Sequence, residues 1–576
     1  MVSLKRDAVG NSAFFGALVG LTFFVCVFGV RILDPTYIAW QLHDDPAHLY
    51  LGWEYFRYEN WHFPLGLIAG YGTPDGTSIF YTDSIPILAL IFKCLRWALP
   101  EPFQYTGLWM LLCYVLQGIF GWLLSALNTQ SKYCRLLMTC FFVLSPSLLD
   151  RTSRHPGLIA HWLILAALYL GLQGLKAFES RHPKWSWQWS WVLLVVTSGL
   201  VHLYTCFMVV VIYLSTMFVF INRERWRRLS TYRSASLPFL FLLAALYLEG
   251  GFVVGPRGWA YASWQFSLFS MNLLAPLVPI HHDKPEDAAY VSYFLTSQKV
   301  PNAGYHEAFN YLGLGALSLV LVALIAVSYR AIRRCLKAPT LQLQPTVALG
   351  PVLATFMACA FLAFLSLSNE IRLGLNTIAT YRFFQAADQF AAIFRSAGRF
   401  FWPMGYLLLW LALRPVGLIV QRRLIVGVAL LQAALTLQLV DLSQLIKHIA
   451  TPYKTVAQFD TPFKSKFWSS TLPRYHDIFY HPPGDETFYV QLGVLAAPHR
   501  VGINIGSKSR SNPDGDHGES GRIERELQSG QLRPGTLYIF KDHSLLDKLK
   551  QRLPSDRYIL SVVDDFCVAA LSTVRI

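Results

Sequence analysis

Charge is the commodity this chain is short of. Only 14% of its 576 residues are Asp, Glu, Lys or Arg, against 54% apolar and 15% aromatic. A soluble globular domain carries about 25% charged residues, so roughly half the usual supply for coating a water-facing surface is missing. Mean hydropathy is +0.38. An ordinary soluble enzyme, a disordered chain and a collagen-like fibre are thereby excluded. Cysteine is also scarce. Of nine, Cys26, Cys113, Cys134, Cys140, Cys206, Cys335 and Cys359 fall in apolar runs or basic loops, leaving Cys94 and Cys567. Neither a disulfide framework nor a CxxC metal pair is visible. No internal repeat and no phosphate cradle are present. The Gly506–Gly521 stretch lacks the Gly-Lys-Ser/Thr such a cradle needs and reads as a flexible loop.

What is abundant is long apolar runs. Stretches near 12–33, 106–127, 134–149, 157–175, 189–201, 203–221, 235–254, 310–329, 346–367, 400–420 and 424–440 meet or approach the length of a bilayer span. A further stretch, Ile85 to Leu99, breaks its apolar run at Phe92 and reads as a helix lying in the interface. The net charge of +15 raises the question of nucleic acid. The basic residues instead gather in short loops between the runs: Lys132 and Arg135; Lys176, Arg181 and Lys184; Arg223, Arg225, Arg227, Arg228 and Arg233; Arg330, Arg333, Arg334 and Lys337; Arg414, Arg422 and Arg423. Lys and Arg in short loops resist translocation, so these loops are cytoplasmic, on the side of Lys5 and Arg6. No nucleic-acid partner follows. Eleven spans place the N-terminus inside, the C-terminus outside and the protein in a bacterial inner membrane. The outward segments are 34–105, 255–309, 368–399 and 441–576. The sequence expects a helical membrane domain over 1–450 and a small extracytoplasmic α/β domain over 451–576.

The first outward loop carries the clearest chemical signal. Asp45 suits a helix N-cap and Pro46 its first turn. Leu49, Trp53 and Phe56 then share one face while Glu54 and Arg57 point elsewhere, as in an amphipathic helix on the bilayer surface. Asp44 has no such structural duty. A carboxylate pair held there suits a general base for a lipid-borne substrate, because low dielectric and a like-charged neighbour both raise a carboxylate pKa towards working pH. Asp83, before the second interfacial helix, reads as a cap. His161 and His202 sit in or beside apolar runs and read as hydrogen-bonded structural histidines. His281-His282-Asp283 begins a metal-like cluster without a third ligand at fixed spacing.

The acidic pair after the first span, the juxtamembrane helices and the outer C-terminal domain together resemble the GT-C glycosyltransferases. These use polyprenyl-phosphate-linked sugars as donors. The segments FPLGLIAGYGTPDGTSIFYTDSIP, RHPGLIAHWLIL, GYHEAFNYLGLG and FRSAGRFFWP are similar to an uncharacterised bacterial family of predicted membrane glycosyltransferases. The resemblance covers most of 34–410 and implies a polytopic helical fold of about eleven spans. It also implies a first-loop acidic base, here Asp44 or Asp45, and an acidic or polar residue at the outer end of the third span, here Asp150, followed by Arg151, Arg154 and His155. The pair is Asp-Asp where mannosyl- and aminoarabinosyltransferases have Asp-Glu, which leaves the two roles open.

Sugar transfer from a lipid phosphate needs a base on the acceptor hydroxyl and positive charge on the departing phosphate. Arg395 and Arg399, four apart, read as neighbours on one helical face that either grip that phosphate in bidentate fashion or snorkel to lipid headgroups. Arg372 and Arg382 share that ambiguity. Glu307 is a candidate for sugar hydroxyls. The implied partners are a polyprenyl-phosphate sugar and an envelope glycan or lipid acceptor. No cofactor motif is present, and a divalent metal stays open. Two other functions compete: an O-antigen-type polymerase or ligase, and a transporter or flippase. No inverted repeat favours the latter.

Overall fold

In the computed structural model the described residues are 7–572 apart from 180–184, 224–228, 254–263, 302–303, 336–348, 456–457, 483–487, 507 and 511–512. Arg181, Lys184, Arg225, Arg227, Arg228 and Lys337 of the basic loops therefore lie outside them. The helices run, in chain order, as α1 (Asp7–Phe28), α2 (Asp44–Tyr58), α3 (Pro86–Cys94), α4 (Thr106–Ser125), α5 (Lys132–Val143), α6 (Pro146–Arg154), α7 (Trp162–Glu179), α8 (Trp185–Gly199), α9 (Leu203–Arg223) and α10 (Leu229–Leu248). There follow α11 (Gln265–Leu268), α12 (Leu314–Cys335), α13 (Leu349–Ser366), α14 (Gln385–Ile393), α15 (Trp402–Arg422), α16 (Leu424–Asp441) and α17 (Ser443–Thr455), then α18 (Lys466–Thr471), α19 (Tyr489–Ala496), α20 (Pro513–Ser529) and α21 (His543–Arg552).

All eleven apolar runs are helical. Among the described residues, Thr106–Ser125, Pro156–Gln173, Ala397–Arg422 and Leu424–Asp441 are long and apolar enough to cross a membrane. The run at 134–149 is not one straight helix: α5 stops at Val143 and α6 restarts at Pro146, bent by 43°. Pro146 explains the break, since proline lacks an N–H and starts a helix more readily than it continues one. Counting that pair as one span gives five, and five further apolar helices of 10–17 residues, such as Ala13–Phe28 and Gly350–Ser366, are shorter.

By packing, the chain divides into two compact units. The first comprises Met1–Asp34, Thr106–Leu242 and Ala262–Thr455. Within it α1 lies against α4 through Gly16 and Gly20, the two small residues of a GxxxG pattern. A Cβ on Gly20 would fall 2.0 Å from the Tyr114 carbonyl oxygen, so only glycine allows the backbones this close. Asp441, buried at the end of α16, accepts hydrogen bonds from Tyr311 Oη (2.8 Å) and the Leu314 amide (3.0 Å). A carboxylate thereby satisfies a free N–H at the start of α12 and offsets the helix dipole. Short strands pair as β1 (Leu67–Ile68) with β2 (Thr77–Ser78) in the other unit and, in this one, as β3 (Ile280–His281) with β4 (Gln298–Lys299) and, after α13, β5 (Glu370–Leu373) with β6 (Asn376–Thr380), where Glu370 pairs with Arg372.

The second unit comprises Pro35–Tyr105, Leu243–Tyr261 and Val456–Ile576. Its core is a five-stranded sheet in the order β10-β11-β9-β7-β8, with β7 (Asp477–His481), β8 (Gly502–Ile503), β9 (Thr536–Phe540), β10 (Tyr558–Val563) and β11 (Phe566–Leu571). The β7, β8 and β9 strands are parallel and joined through helices; β10 and β11 pair as an antiparallel hairpin. The expected flexible loop at Gly506–Gly521 is corrected here, because Pro513 opens α20. Ile523 and Leu527, four apart, bury into the core beside Phe479 and Tyr538 and hold that helix on the sheet.

The first loop belongs to this unit and extends its sheet. Tyr71 forms a parallel bridge with Ile503, whose carbonyl accepts from the Gly72 and Thr73 amides. The surface-lying amphipathic helix expected at 45–57 is also corrected. α2 starts at Asp44, with His43 rather than Asp45 as N-cap and no side-chain cap, and it is buried on every side from Pro46 to Arg57. Three contacts enclose it: Trp53 Nε1 donates to the Phe103 carbonyl (3.0 Å), Arg57 Nη2 to the Leu99 and Pro100 carbonyls (3.1 and 2.9 Å), and Tyr55 Oη to the Val501 carbonyl (3.2 Å). Glu54 is enclosed with them. α3 behaves differently: Ile91, Leu95 and Trp97 of this stretch are exposed, while Lys93 turns inward with Nζ over the rings of Phe56 (3.8 Å) and Trp61 (4.6 Å). Asp83 does not cap α3, whose N-cap is Ile85 without a side-chain bond.

Burial pushes the Glu54 carboxyl up to about 7, against the opposing pull of Arg57. A folded pKa above the unfolded one stabilises fully below the unfolded value and is lost as pH rises through the folded value. Between pH 4.5 and 7 the chain should therefore lose about 3 kcal/mol at this residue. Glu54→Gln should flatten that part of the unfolding profile in detergent; an unchanged profile would contradict the burial of a charge-averse Glu54.

Candidate functional site

Three segments of the first unit converge on one carboxylate. α6 supplies Asp150, Arg151 and Arg154; a 3₁₀ turn at Tyr305–Ala308 supplies His306 and Glu307; a second at Ala397–Phe401 supplies Arg399. Glu307 Oε2 accepts from Arg151 Nη1 (3.1 Å) and from Arg399 Nε (2.9 Å), with Arg399 Nη2 on the same oxygen. Arg151 also grips Asp150 Oδ2 through Nε (3.1 Å) and Nη2 (2.8 Å), and donates to the His306 carbonyl. Arg154 Nε reaches Asp150 Oδ1 (3.2 Å), and its Nη2 donates to Tyr290 Oη (2.7 Å). The Tyr290 ring lies flat over His448, 3.7 Å away. Asp150, Arg151 and Arg399 are buried, and Arg154 is half-exposed.

Local sequence makes this convergence possible. Asp150 and Arg154 stand four apart on a helix, the spacing at which side chains meet. Asn310 Nδ2 donates to the Ala308 and Gly398 carbonyls (3.0 and 2.9 Å), tying the two turns together. A Cβ on Gly398 would fall 2.5 Å from the Ala308 Cβ, so the crossing needs glycine. The Arg399 guanidinium also lies 4.6 Å over the Tyr204 ring, whose hydroxyl accepts from the Ser396 amide (2.6 Å). Burial opposes charge on Glu307, but Arg399 and Arg151, aided by His155 and His306, hold its carboxyl well below the usual range.

The expected helical face shared by Arg395 and Arg399 is corrected. α14 ends at Ile393, and the chain turns through Phe394 and Ser396 before the 3₁₀ segment. The two arginines therefore have different fates: Arg399 is committed to Glu307, whereas half-buried Arg395 has no hydrogen bond or ion pair among the described residues. Three guanidinium groups against two carboxylates leave the network one positive charge in excess. The cluster is built to favour an anion.

Of the other sequence candidates, His155 and His202 come together. His155 ends α6, with its ring edge-on to His202 at 5.7 Å. His161 Nδ1 bonds Tyr406 Oη (2.8 Å), a structural contact. His282 pairs with adjacent Asp283 at 2.6 Å, and no further ligand joins them among the described residues. Asp44 and Asp45 belong to the second unit. Asp44 has a left-handed backbone (φ 44°), its side chain is 93% exposed, and its carbonyl accepts from Tyr489 Oη at 3.4 Å. Asp45 is exposed beside it. Sequence reasoning named Arg151 beside Asp150 but missed His306, Tyr290, His448 and Tyr204, which carried no local signal.

Residues 17–443 match the family model described as a domain of unknown function, DUF6311, and residues 467–571 match the DUF6311 C-terminal domain. The chain belongs to the DUF6311 family. No curated protein matches it. Among solved structures, the DUF6311 protein is similar to the Archaeoglobus fulgidus oligosaccharyltransferase in its apo form: 12% identity, 93% of this chain and 70% of that one covered, TM-score 0.42. It is also similar to the oligosaccharyltransferase AglB of that organism in complex with an inhibitory peptide and a dolichol-phosphate: 10% identity, 94% and 70% covered, TM-score 0.37.

The ion network predicts an asymmetry in stability. Glu307→Gln leaves the buried Arg399 guanidinium without its counter-charge and Arg151 with Asp150 alone, and should cost about 3–5 kcal/mol. Arg395→Ala removes no hydrogen bond or ion pair among the described residues and should stay within about 0.5 kcal/mol of the parent. Unfolding in detergent checks both, and equal effects would refute the division of labour.

Proposed function

We propose that this DUF6311 protein is a membrane glycosyltransferase that moves a sugar from a polyprenyl-phosphate donor to an envelope glycan or lipid acceptor on the outer side of the bacterial inner membrane. The supporting observation is the cationic excess around Glu307, with half-exposed Arg154 at its edge and Arg395 four residues before Arg399 in the chain. Arg151 and Arg399 are engaged by carboxylates. Arg395 is unengaged, and Arg154 keeps Nη1 without a protein partner among the described residues.

The chemistry divides accordingly. Departure of a lipid phosphate builds negative charge on its oxygens, and a preorganised guanidinium stabilises that charge without reorganisation. Arg395 takes this role, with Arg154 assisting. Asp150 and Glu307 hold the framework and keep its net charge low enough for the unit to fold. Asp44 or Asp45 takes the proton from the acceptor hydroxyl as the anomeric carbon is attacked. One base suffices for inversion, because phosphate leaves without protonation. The soluble domain at 451–576 serves the outer side, where the acceptor resides.

In lipid nanodiscs, purified protein given a polyprenyl-phosphate sugar should release polyprenyl phosphate. Asp44→Asn or Asp45→Asn should abolish release with the unfolding temperature unchanged. Arg395→Ala should raise the donor KM about 10- to 100-fold, the worth of a charged hydrogen bond. Full transfer by both aspartate variants would remove the base assignment, and movement of substrate across sealed vesicles without chemistry would make the protein a transporter.

A further inference from the structure

Within the first unit a run of aromatic rings connects the outward face of α13 to the arginine loop. Leu353, Met357, Phe361 and Phe364 form a stripe on α13, each half or more exposed, which in a membrane-embedded apolar helix is a lipid face. Phe364 lies parallel to Tyr381 (6.5 Å, 7°), and Tyr381 meets Phe383 edge-on at 5.8 Å. Phe383 meets Phe266 at 5.8 Å, Phe266 meets Phe390 at 6.1 Å, and Phe390 packs on Phe394 at 4.9 Å. The next residue is Arg395. Phe364 and Tyr381 are exposed, Phe383 and Phe390 half-buried, and Phe266 and Phe394 buried. Phe384, 74% exposed, stands beside its outer part. Tyr381 and Phe384 show ring surface beside the lipid face, and half-buried Phe383 and Phe390 continue it inward over the buried Phe266.

We infer that this run is the seat of the donor's isoprenoid chain, which enters over Phe364 and Tyr381 and brings its phosphate to Arg395. The inference rests on the donor class proposed above and adds where the chain lies. Branched, unsaturated isoprene units present methyl groups and flat double bonds to ring faces and edges, and apolar contact of this kind needs no hydrogen bonds from the protein. The unpartnered guanidinium at the inner end and the bilayer at the outer end fix the chain's direction.

Long-chain polyprenyl monophosphate and geranyl monophosphate, titrated against the full chain in phosphatidylcholine nanodiscs, separate chain from phosphate. Tyr381→Leu combined with Phe384→Ser removes outer rings only and should weaken the long chain about tenfold while leaving geranyl phosphate unchanged. Tyr381→Phe keeps the ring and should bind as the parent does. Arg395→Ala should weaken both ligands. Unchanged long-chain affinity in the double variant, or equal losses for both ligands, overturns the seat. If Arg395→Ala alters neither ligand while the double variant still discriminates them, the chain seat stands and the phosphate assignment falls. A diazirine at the far end of the long chain should label the 361–384 region, and labelling confined to other helices would also overturn the inference.

Discussion

One oxygen organises the candidate site. Glu307 Oε2 is shared by Arg151 and Arg399, which come from segments far apart in sequence. A buried carboxylate bound this way is costly to desolvate and costly to disturb. Three backbone segments are therefore locked in one register, and the positions of Asp150, Arg154 and Arg395 follow from that lock. The asymmetry between engaged and unengaged arginines has the same source: two guanidinium groups neutralise the interior acid, and what remains at the edge is available to an incoming anion.

The second unit depends on a different constraint, the enclosure of α2. A helix with Glu54 and Arg57 both buried needs partners on all sides, and they come from the rest of the first loop and from the C-terminal sheet. Tyr55 and Tyr489 tie the two ends of α2 to residues of the C-terminal segment. The acidic pair stands at the one end of this helix that remains exposed.

Much of the helical framework was legible in apolar runs, and the break within the third run was signalled by Ser145-Pro146. The pairing of Asp150 with Arg154 was readable as helical spacing. The partners of Glu307 were not, because Arg151 and Arg399 lie 156 and 92 residues away, and no local pattern encodes such a meeting. α2 misled for a related reason: its Leu49-Trp53-Phe56 face looked amphipathic, but its other sides are covered by chain 42 to 446 residues later, at Leu99, Pro100 and Val501. The Gly506–Gly521 stretch misled because its glycine, serine and aspartate content masks a proline-initiated helix whose anchors, Ile523 and Leu527, lie beyond it.

The parallel bridge between Tyr71 and Ile503 has a consequence for biogenesis. Tyr55 emerges from the ribosome 446 residues before its acceptor at Val501, an interval of roughly 20–90 s at about 5–20 residues per second. Throughout that time α2 and the edge beside Tyr71 lack their final cover, although most of the transmembrane helices have already been made. Nascent chains of this architecture need a holdase or the bilayer surface itself to shelter the first loop, and a stop codon late in the reading frame would damage its earliest folded segment.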